Sequence, residues 1–387
     1  MSENRVEKLE PIELPLYMWN MSISGLSAEC NFNATPDLVG GPAEKGLSLP
    51  LTLTMLVCRV EQSDELESSS LLYDVEMFNQ SSSSRFILLG LSDILYLKVI
   101  GFFALLVAYL ITLLANLLLI TVVTINPKLQ TPMYFFLINL SFIDICFSST
   151  VVPKILMNTL SKDKSISLLE CAIQMHFHLT FGSTECFILA VMAYDRFVAI
   201  CKPLHYKTIM SRRLCISLAA ASWTSSFINS VIHVTYTFQL SFCNSHHVNH
   251  FFCEVPPFIQ MSCGDTWLHD LAMYISAGII ASFTFFLILI SYVNILSTIL
   301  KINSSQGRSK AFSTCASHII VVTVFFGTLM ILYLRPQSRS STDMDNSVSI
   351  LYSAVTPMVN PIIYSVRNKD VKVTVRKIFM RCFLCGI

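Results

Sequence analysis

Long apolar stretches separated by short polar ones run along most of the chain after residue 97. A helix needs about 20 mostly apolar residues to cross a hydrocarbon core about 30 Å thick. A window of that length predicts seven spans, at residues 98–125, 132–157, 172–195, 214–236, 269–297, 313–334 and 347–366. The pattern therefore predicts an all-α membrane protein, a seven-transmembrane helix bundle over residues 98–366.

Composition agrees with this prediction, because 53% of the residues are hydrophobic and only 13% are charged, against about 25% charged in soluble domains. Residues 1–76 differ from the rest, with thirteen Asp/Glu against four Lys/Arg. That acidic composition predicts a disordered N-terminal extension. Met77 is an expected alternative start, since Asn79-Gln80-Ser81 follows as a glycosylation sequon in the outer segment 77–97.

Basic residues predict the orientation, because cytoplasmic loops retain Lys and Arg. With the N-terminus outside, the inner loops and the tail 367–387 hold fifteen Lys/Arg, whereas the outer loops hold four. We therefore expect a multi-pass plasma-membrane protein with an extracellular N-terminus and a cytoplasmic C-terminus.

Four cysteines are predicted on the outer side, where disulfides form. Cys243, Cys253 and Cys263 lie in the longest outer loop and Cys171 opens the third span, so four thiols can pair in three ways. The histidines of that loop, followed by Cys253 and Glu254, also offer ligands for a transition metal. A disulfide is the favoured interpretation, since an oxidised cysteine cannot act as a thiolate ligand.

Ionisable residues inside a span are costly, at least about 2.5 kcal/mol each at the helix centre, and so mark functional positions. Asp144 and Glu185 are two such residues. His178, Glu185 and Arg196 share one face of the third helix at 100° per residue. This stripe is consistent with an ion path, with a connection between ligand and switch, or with an interhelical hydrogen-bond seam.

The seventh span contains Asn360-Pro361 and, three residues later, Tyr364. Proline removes a backbone hydrogen bond, so a hinge is expected there. In the sixth span Phe326 and Tyr333 lie one heptad apart and form an aromatic face. Such aromatic residues either line a pocket or simply pack.

The chain resembles vertebrate odorant receptors of the rhodopsin-like G-protein-coupled family over about residues 77–387. The ordered motifs that carry the resemblance are Pro132-Met133-Tyr134-Phe135-Phe136-Leu137, Met192-Ala193-Tyr194-Asp195-Arg196-Phe197-Val198-Ala199-Ile200-Cys201, Pro203-Leu204-His205-Tyr206, Ser291-Tyr292, Lys310-Ala311-Phe312-Ser313-Thr314-Cys315-Ala316-Ser317-His318 and Pro357-Met358-Val359-Asn360-Pro361. Each motif falls on its expected span or loop.

The resemblance implies disulfides Cys171–Cys253 and Cys243–Cys263, which would hold the outer loop over a pocket. It implies that Arg196 is held by Asp195 at rest and released on activation. The G-protein switch would then comprise Asp195, Arg196, Tyr292, Asn360, Pro361 and Tyr364. Asp144 and Glu185 resemble the family's sodium-linked pair; no other cofactor or metal is expected.

Three positions depart from the family's usual residues. Phe197 stands where the family usually has Tyr, Phe326 replaces the Tyr of Phe-Tyr-Gly, and Ala115 replaces Gly in the first span. The lost hydroxyl at Phe326 removes a hydrogen-bond partner between ligand and sixth helix. On the sequence alone, the Asp195–Arg196 ion pair is therefore the better-supported part of the switch.

The resemblance also implies a ligand and a partner: small volatile molecules, and the olfactory stimulatory G-protein that raises cyclic AMP. The pocket candidates are outer-half residues on inward faces. They are Met175, His178, Leu179, Gly182, Ser183, Phe326, Leu329, Tyr333 and Ser353. Most are apolar, which predicts a mainly apolar ligand with one or two polar groups.

Three other functions compete with the receptor interpretation. A channel or transporter through Asp144 and Glu185 would leave the inner-end motifs unexplained and lacks inverted repeats. An intramembrane enzyme lacks a paired-Asp or Ser/His arrangement at catalytic spacing, so no enzyme is expected. A non-signalling receptor relic is compatible with the long acidic extension and the substituted motifs.

Overall fold

The computed structural model describes residues 85–89, 91, 94–242, 246–333, 348–367, 371–376 and 380. All of them belong to one of the chain's two units, Asn79–Ile387. The predicted extension 1–76, the glycosylation site Asn79, Cys243 and the end of the basic tail lie outside the described residues. Predictions about them, including the domain boundaries and the Cys243–Cys263 pair, stay predictions.

Seven main helices follow one another along the described chain. They are α1 (Leu95–Ile125), α2 (Pro132–Leu160), α3 (Leu168–Cys201), α4 (Arg212–Phe238), α5 (Trp267–Leu300), α6 (Ser305–Tyr333) and α7 (Thr356–Arg367). The connections contain 3₁₀ turns at Pro127–Leu129 and Pro203–His205 and short helices at Tyr206–Ile209 and Val255–Met261. A π-helical turn, Leu351–Val355, precedes α7.

The first six helices are longer than the predicted spans, because the apolar window detects only the part that crosses hydrocarbon. The 34 residues of α3 make a helix about 51 Å long at 1.5 Å per residue. Its start is set by a capping box, in which Ser167 accepts from the Glu170 backbone and Glu170 accepts from the Ser167 backbone. Helices of this length extend beyond the bilayer core on one or both sides.

Five helices, α1, α2, α4, α5 and α6, are long and apolar enough to cross a membrane. Large apolar side chains on their outer faces are exposed, for example Leu114 at 68% and Phe283 at 56%. α3 instead carries four Asp, Glu and Arg residues, which are Glu170, Glu185, Asp195 and Arg196. It sits at the centre of the bundle and packs against α2, α4, α5 and α6.

The outer end of the bundle carries a second small structure. Strands β1 (Arg85–Ile87) and β2 (Ser165–Ser167) pair antiparallel, and residues 246–261 cover them from the second outer loop. We call β1, β2 and residues 246–261 the outer cap. The disulfide Cys171–Cys253 joins the cap to the first turn of α3, as the resemblance implied.

Candidate functional site

A buried polar centre joins α2, α3 and α7. The side-chain nitrogen of Asn360 donates to Asp144 Oδ1 at 3.0 Å and to Glu185 Oε1 at 3.1 Å. All three side chains are almost fully buried. Asp144 Oδ2 has no hydrogen-bond partner among the described residues. Asn360 therefore holds two carboxylates together, a contact that the sequence patterns did not predict.

A neighbouring contact ties α1 to α7. Asn116 donates to the carbonyl of Pro357 at 3.1 Å and to that of Thr112 at 3.0 Å. Pro361 lies inside α7, one turn beyond Pro357, at the position where a hinge was expected. α7 thus contacts α1 through the Pro357 carbonyl, and α2 and α3 through the Asn360 side chain. Both groups lie within one turn of Pro361.

His178 lies closer to the outer end of α3, between two aromatic rings. Its ring stacks on Phe147 of α2 at a centroid distance of 4.9 Å and lies 5.0 Å from the ring of Phe252 in the outer cap. The side chain is 7% exposed, and neither ring nitrogen has a hydrogen-bond partner in the described structure. A buried imidazole without partners is costly, so this group is available to a polar ligand atom.

The other pocket candidates occupy different surroundings. Met175 is fully buried under the outer cap, and Leu179 packs against the same cluster. A Cβ at Gly182 would lie 3.0 Å from the hydroxyl of Tyr352, so the absence of a side chain lets Tyr352 approach α3. Ser183 is half-buried.

The candidates on α6 and in the π-helical turn before α7 lie deeper or are already bonded. Phe326 is buried and its ring lies 5.7 Å from that of Phe285 on α5. Leu329 packs against the same core. The hydroxyl of Ser353 donates to the carbonyl of Ser349 at 2.7 Å, so its hydrogen is not available to a ligand. The side chain of Tyr333 lies outside the described residues.

Phe147 and Tyr352 were missed as site residues. The Tyr352 ring meets Phe147 edge-on at 5.2 Å and Phe325 at 5.7 Å. Phe147 lies three residues after Asp144, which places it on the same face of α2. That spacing could have predicted Phe147 as a site residue. Tyr352 lies in a π-helical turn, and the 3.6-residue period of an α-helix does not predict which side chains of such a turn point into the bundle.

The inner end of α3 differs from the expectation of an Asp195–Arg196 ion pair. Asp195 Oδ1 instead accepts a 2.7 Å hydrogen bond from the hydroxyl of Tyr206. In the described structure, Asp195 and Arg196 have no acid–base contact within 4.0 Å; a contact of this kind joins His250 and Glu254 at 3.5 Å. Tyr206 follows the 3₁₀ turn Pro203–His205 after α3. It competes with Arg196 for the Asp195 carboxylate, which is the physical reason for the difference.

Tyr206 is strongly affected by this contact. Burial and the adjacent Asp195 carboxylate raise the pKa of the Tyr206 hydroxyl well above its usual value. The phenol therefore stays protonated and remains a donor to Asp195. Arg196 is half-buried, and its Nε lacks a hydrogen-bond partner in the described residues.

The remaining switch residues lie on α5 and α7, and Tyr292 of α5 contacts His318 of α6. His318 Nε2 faces the carbonyl of Leu189 at 3.1 Å, and its Nδ1 faces the hydroxyl of Tyr292 at 2.8 Å. Because a carbonyl only accepts, Nε2 carries hydrogen, and a neutral ring accepts from Tyr292 at Nδ1. His318 thus joins α3, α5 and α6. The Tyr364 hydroxyl is buried without a partner in the part described.

The outer-loop histidines that the structure describes are not grouped as the ligands of a metal ion. Cys253 is in a disulfide, and His250 Nε2 lies 3.5 Å from Glu254 Oε2. Across the described ranges there is no group of three or more His, Cys, Asp or Glu side chains placed to hold a metal ion. Burial raises the pKa of Glu254 to about 7.

Comparison with known proteins decides the family. The family model described as olfactory receptor matches residues 105–382. The chain belongs to the olfactory receptor family. It is similar to human olfactory receptor 5G3, with 48% identity over 309 residues that cover 80% of this chain and 98% of the relative.

Two mouse relatives match over similar lengths. Mouse olfactory receptor 5G29 is 45% identical over 303 residues, 78% of this chain and 96% of its own. Mouse olfactory receptor 5T7 is 46% identical over 310 residues, 80% of this chain and all of its own. This olfactory receptor is therefore an odorant-sensing G-protein-coupled receptor with a seven-transmembrane bundle, a multi-pass plasma-membrane protein and not an enzyme.

Proposed function

We propose that this olfactory receptor binds small, volatile, mainly apolar molecules in the outer half of its bundle and activates a stimulatory G-protein that raises cyclic AMP. The observation that carries the proposal is His178. Its two ring nitrogens are buried without hydrogen-bond partners in the described structure, between the rings of Phe147 and Phe252. One polar group among aromatic side chains suits an apolar ligand with a single hydrogen-bonding group.

Transmission to the inner face would run through α3, which holds His178, Glu185 and Arg196 in one continuous helix. The lower part of α3 is bonded to α6 through His318 and Leu189. A ligand that prefers one arrangement of α3 and α6 shifts the population toward that arrangement. The half-buried Arg196 would then become available to the G-protein.

The orientation has the N-terminus outside and the C-terminus inside. The Cys171–Cys253 disulfide lies at the end of the bundle that carries β1 and β2. Disulfides persist in oxidising compartments, which supports an extracellular outer cap. The positive-inside bias of the loops supports the same orientation, with the bilayer around the exposed apolar faces.

We also propose a sodium ion as an allosteric ligand of the polar centre. Asp144 and Glu185 supply oxygen ligands of the kind that hard cations prefer, and Asp144 Oδ2 is buried without a hydrogen-bond partner in the residues described. A cation between the two carboxylates would compensate their mutual repulsion. Both carboxylates converge on one Asn360 amide and do not line an extended route, so a channel is not proposed.

The test is a dose–response measurement of cyclic AMP in cells that express the full chain, with a panel of hydrocarbons, alcohols, ketones and esters. His178→Phe keeps the ring and removes both nitrogens. We expect it to raise the half-maximal concentration of a hydrogen-bonding odorant about tenfold, the ratio for about 1.4 kcal/mol, and to leave hydrocarbon responses unchanged.

The matched control is His176→Phe. His176 lies two residues away on α3 and faces α4, where its Nδ1 is 2.9 Å from the hydroxyl of Ser230. This variant should keep the odorant potency of the wild type at equal surface expression. Equal potency losses in the two variants, or a preference of the wild type for strongly acidic, highly water-soluble agonists, would contradict the proposed pocket.

A further inference from the structure

The short stretch before α1 is the middle strand of the outer cap. On one side β1 pairs antiparallel with β2, with Phe86 opposite Ile166. On the other side Ile87 forms a parallel bridge with His247. Ile87 donates to the carbonyl of His246 at 2.7 Å and accepts from the amide of Val248 at 2.9 Å. This strand thus connects the first and second outer loops.

Side chains fix the strand in place. Phe86 and Leu88 are each 1% exposed, whereas Ile87 between them is 37% exposed. The Phe86 ring meets Phe258 at 5.0 Å and Phe242 at 5.8 Å, both edge-on. The alternation of buried and exposed residues is that of a strand with one face in a core. Phe86 is therefore an anchor for the cap.

The same stretch reaches the loop that covers His178. Leu89 donates to the carbonyl of His250 at 2.9 Å. The His250 ring lies 4.5 Å from the ring of Phe252, which lies 5.0 Å from His178. Three successive contacts therefore link the strand to the imidazole.

A second contact holds the loop from inside the bundle. The Gln174 side chain accepts from the backbone of Cys253 at 2.8 Å and donates to the carbonyl of Thr150 at 2.8 Å. The disulfide fixes Cys253 itself. Residues 246–250, however, are hydrogen-bonded to β1 and Leu89. The loop is thus fixed at Cys253 by the bundle and at its preceding residues by the strand.

We infer that residues 85–89, with Phe86 as anchor, position the second outer loop against His178 and thereby set odorant potency. They act through the loop and are positioning residues, since no hydrogen bond or ring contact joins them directly to His178 within the described chain. The effect on odorants rests on the proposed function; the effect on the loop does not. This stretch precedes residue 105, where the match to the family model begins.

The first experiment needs no odorant. Backbone hydrogen exchange is measured over residues 246–254 of the full chain in lipid nanodiscs, for wild type, Phe86→Ala and Ile87→Ala. Phe86→Ala removes the buried anchor, and Ile87→Ala is the matched control on the exposed side of the same strand. We expect at least tenfold faster exchange in Phe86→Ala and less than twofold in Ile87→Ala. Unchanged exchange in Phe86→Ala would overturn the inference.

The second experiment measures odorant potency and basal cyclic AMP at matched surface expression. Phe86→Ala should raise half-maximal concentrations at least fivefold while basal cyclic AMP stays at the wild-type level, and Phe86→Leu, which keeps most of the volume, should recover most of the potency. Unchanged half-maximal concentrations in Phe86→Ala at matched surface expression would refute the positioning role.

These two experiments distinguish a variant that fails to fold from a failure of the proposed function. If Phe86→Ala does not reach the surface, Phe86→Leu replaces it in the exchange measurement. Residues 246–254 should then exchange faster in Phe86→Leu than in Ile87→Ala. If no odorant activates the wild type, the proposed function is wrong, and the exchange rates alone decide whether β1 positions the loop.

Discussion

The Asn360 amide is the most testable contact of the polar centre. In Asn360→Leu the side chain keeps a similar volume but loses both donors. Asp144 Oδ1 and Glu185 Oε1 then lose the hydrogen bonds of 3.0 and 3.1 Å. Neither carboxylate can turn to water, because both are almost fully buried.

The expected loss follows from the number of bonds. An interhelical hydrogen bond inside a membrane contributes about 0.6 kcal/mol on average and about 1.7 at most. Two bonds to the same amide therefore contribute roughly 1 to 3 kcal/mol to the free energy of unfolding. Since about 1.4 kcal/mol corresponds to a factor of ten, the ratio of folded to unfolded receptor should fall roughly 5- to 150-fold.

The assay is thermal unfolding of the purified full chain in detergent, followed by size-exclusion fluorescence. Ile362→Ala is the control on the same helix, since Ile362 is 40% exposed on the apolar outer face. Asn360→Leu should melt several degrees below wild type and Ile362→Ala close to it. Equal melting temperatures for the two variants would refute the claim that Asn360 holds the carboxylates together.

Three further outcomes are expected. Tyr206→Phe removes the hydrogen bond to Asp195 and frees that carboxylate for Arg196, so basal and odorant-evoked cyclic AMP should fall at least fivefold; an unchanged level would contradict this competition. Burial raises the pKa of Glu254 to about 7 from an ordinary 4.5, so its contribution to stability is full below about pH 4.5 and is lost as pH rises through 7. Glu254→Gln should remove this part of the pH dependence of the melting temperature. Identical pH profiles for wild type and Glu254→Gln would contradict a contribution of Glu254 to this pH dependence. Replacing sodium by N-methylglucamine should lower the wild-type melting temperature but not that of Glu185→Gln; equal shifts would argue against a sodium site.

The helices and the outer disulfide were predictable because each depends on local or chemical signals. A span needs about 20 apolar residues, and such windows predicted all seven helices at nearly the right places. The Cys171–Cys253 pair followed from the family resemblance, whereas spacing alone left three pairings open. The inward stripe on α3 followed from helical periodicity, and its members His178 and Glu185 are indeed buried.

The contacts that were missed are those between distant segments. Asn360 is 216 residues from Asp144 and 175 from Glu185 in the chain, and periodicity within α7 does not reveal which helices it faces. The strand β1 has three residues, too few for a periodic signal. The hydrogen bond from Tyr206 to Asp195 comes from the loop after α3, and helical periodicity, which places neighbouring residues about 100° apart, does not reveal it.

The most direct test of the account is odorant-evoked cyclic AMP in cells that display the full chain at the surface, for wild type and Arg196→Ala at equal surface density. We expect at least one small, mainly apolar odorant to raise cyclic AMP in the wild type and Arg196→Ala to abolish the rise. An undiminished response in Arg196→Ala, or ligand-independent ion currents that disappear with Glu185→Gln, would contradict it.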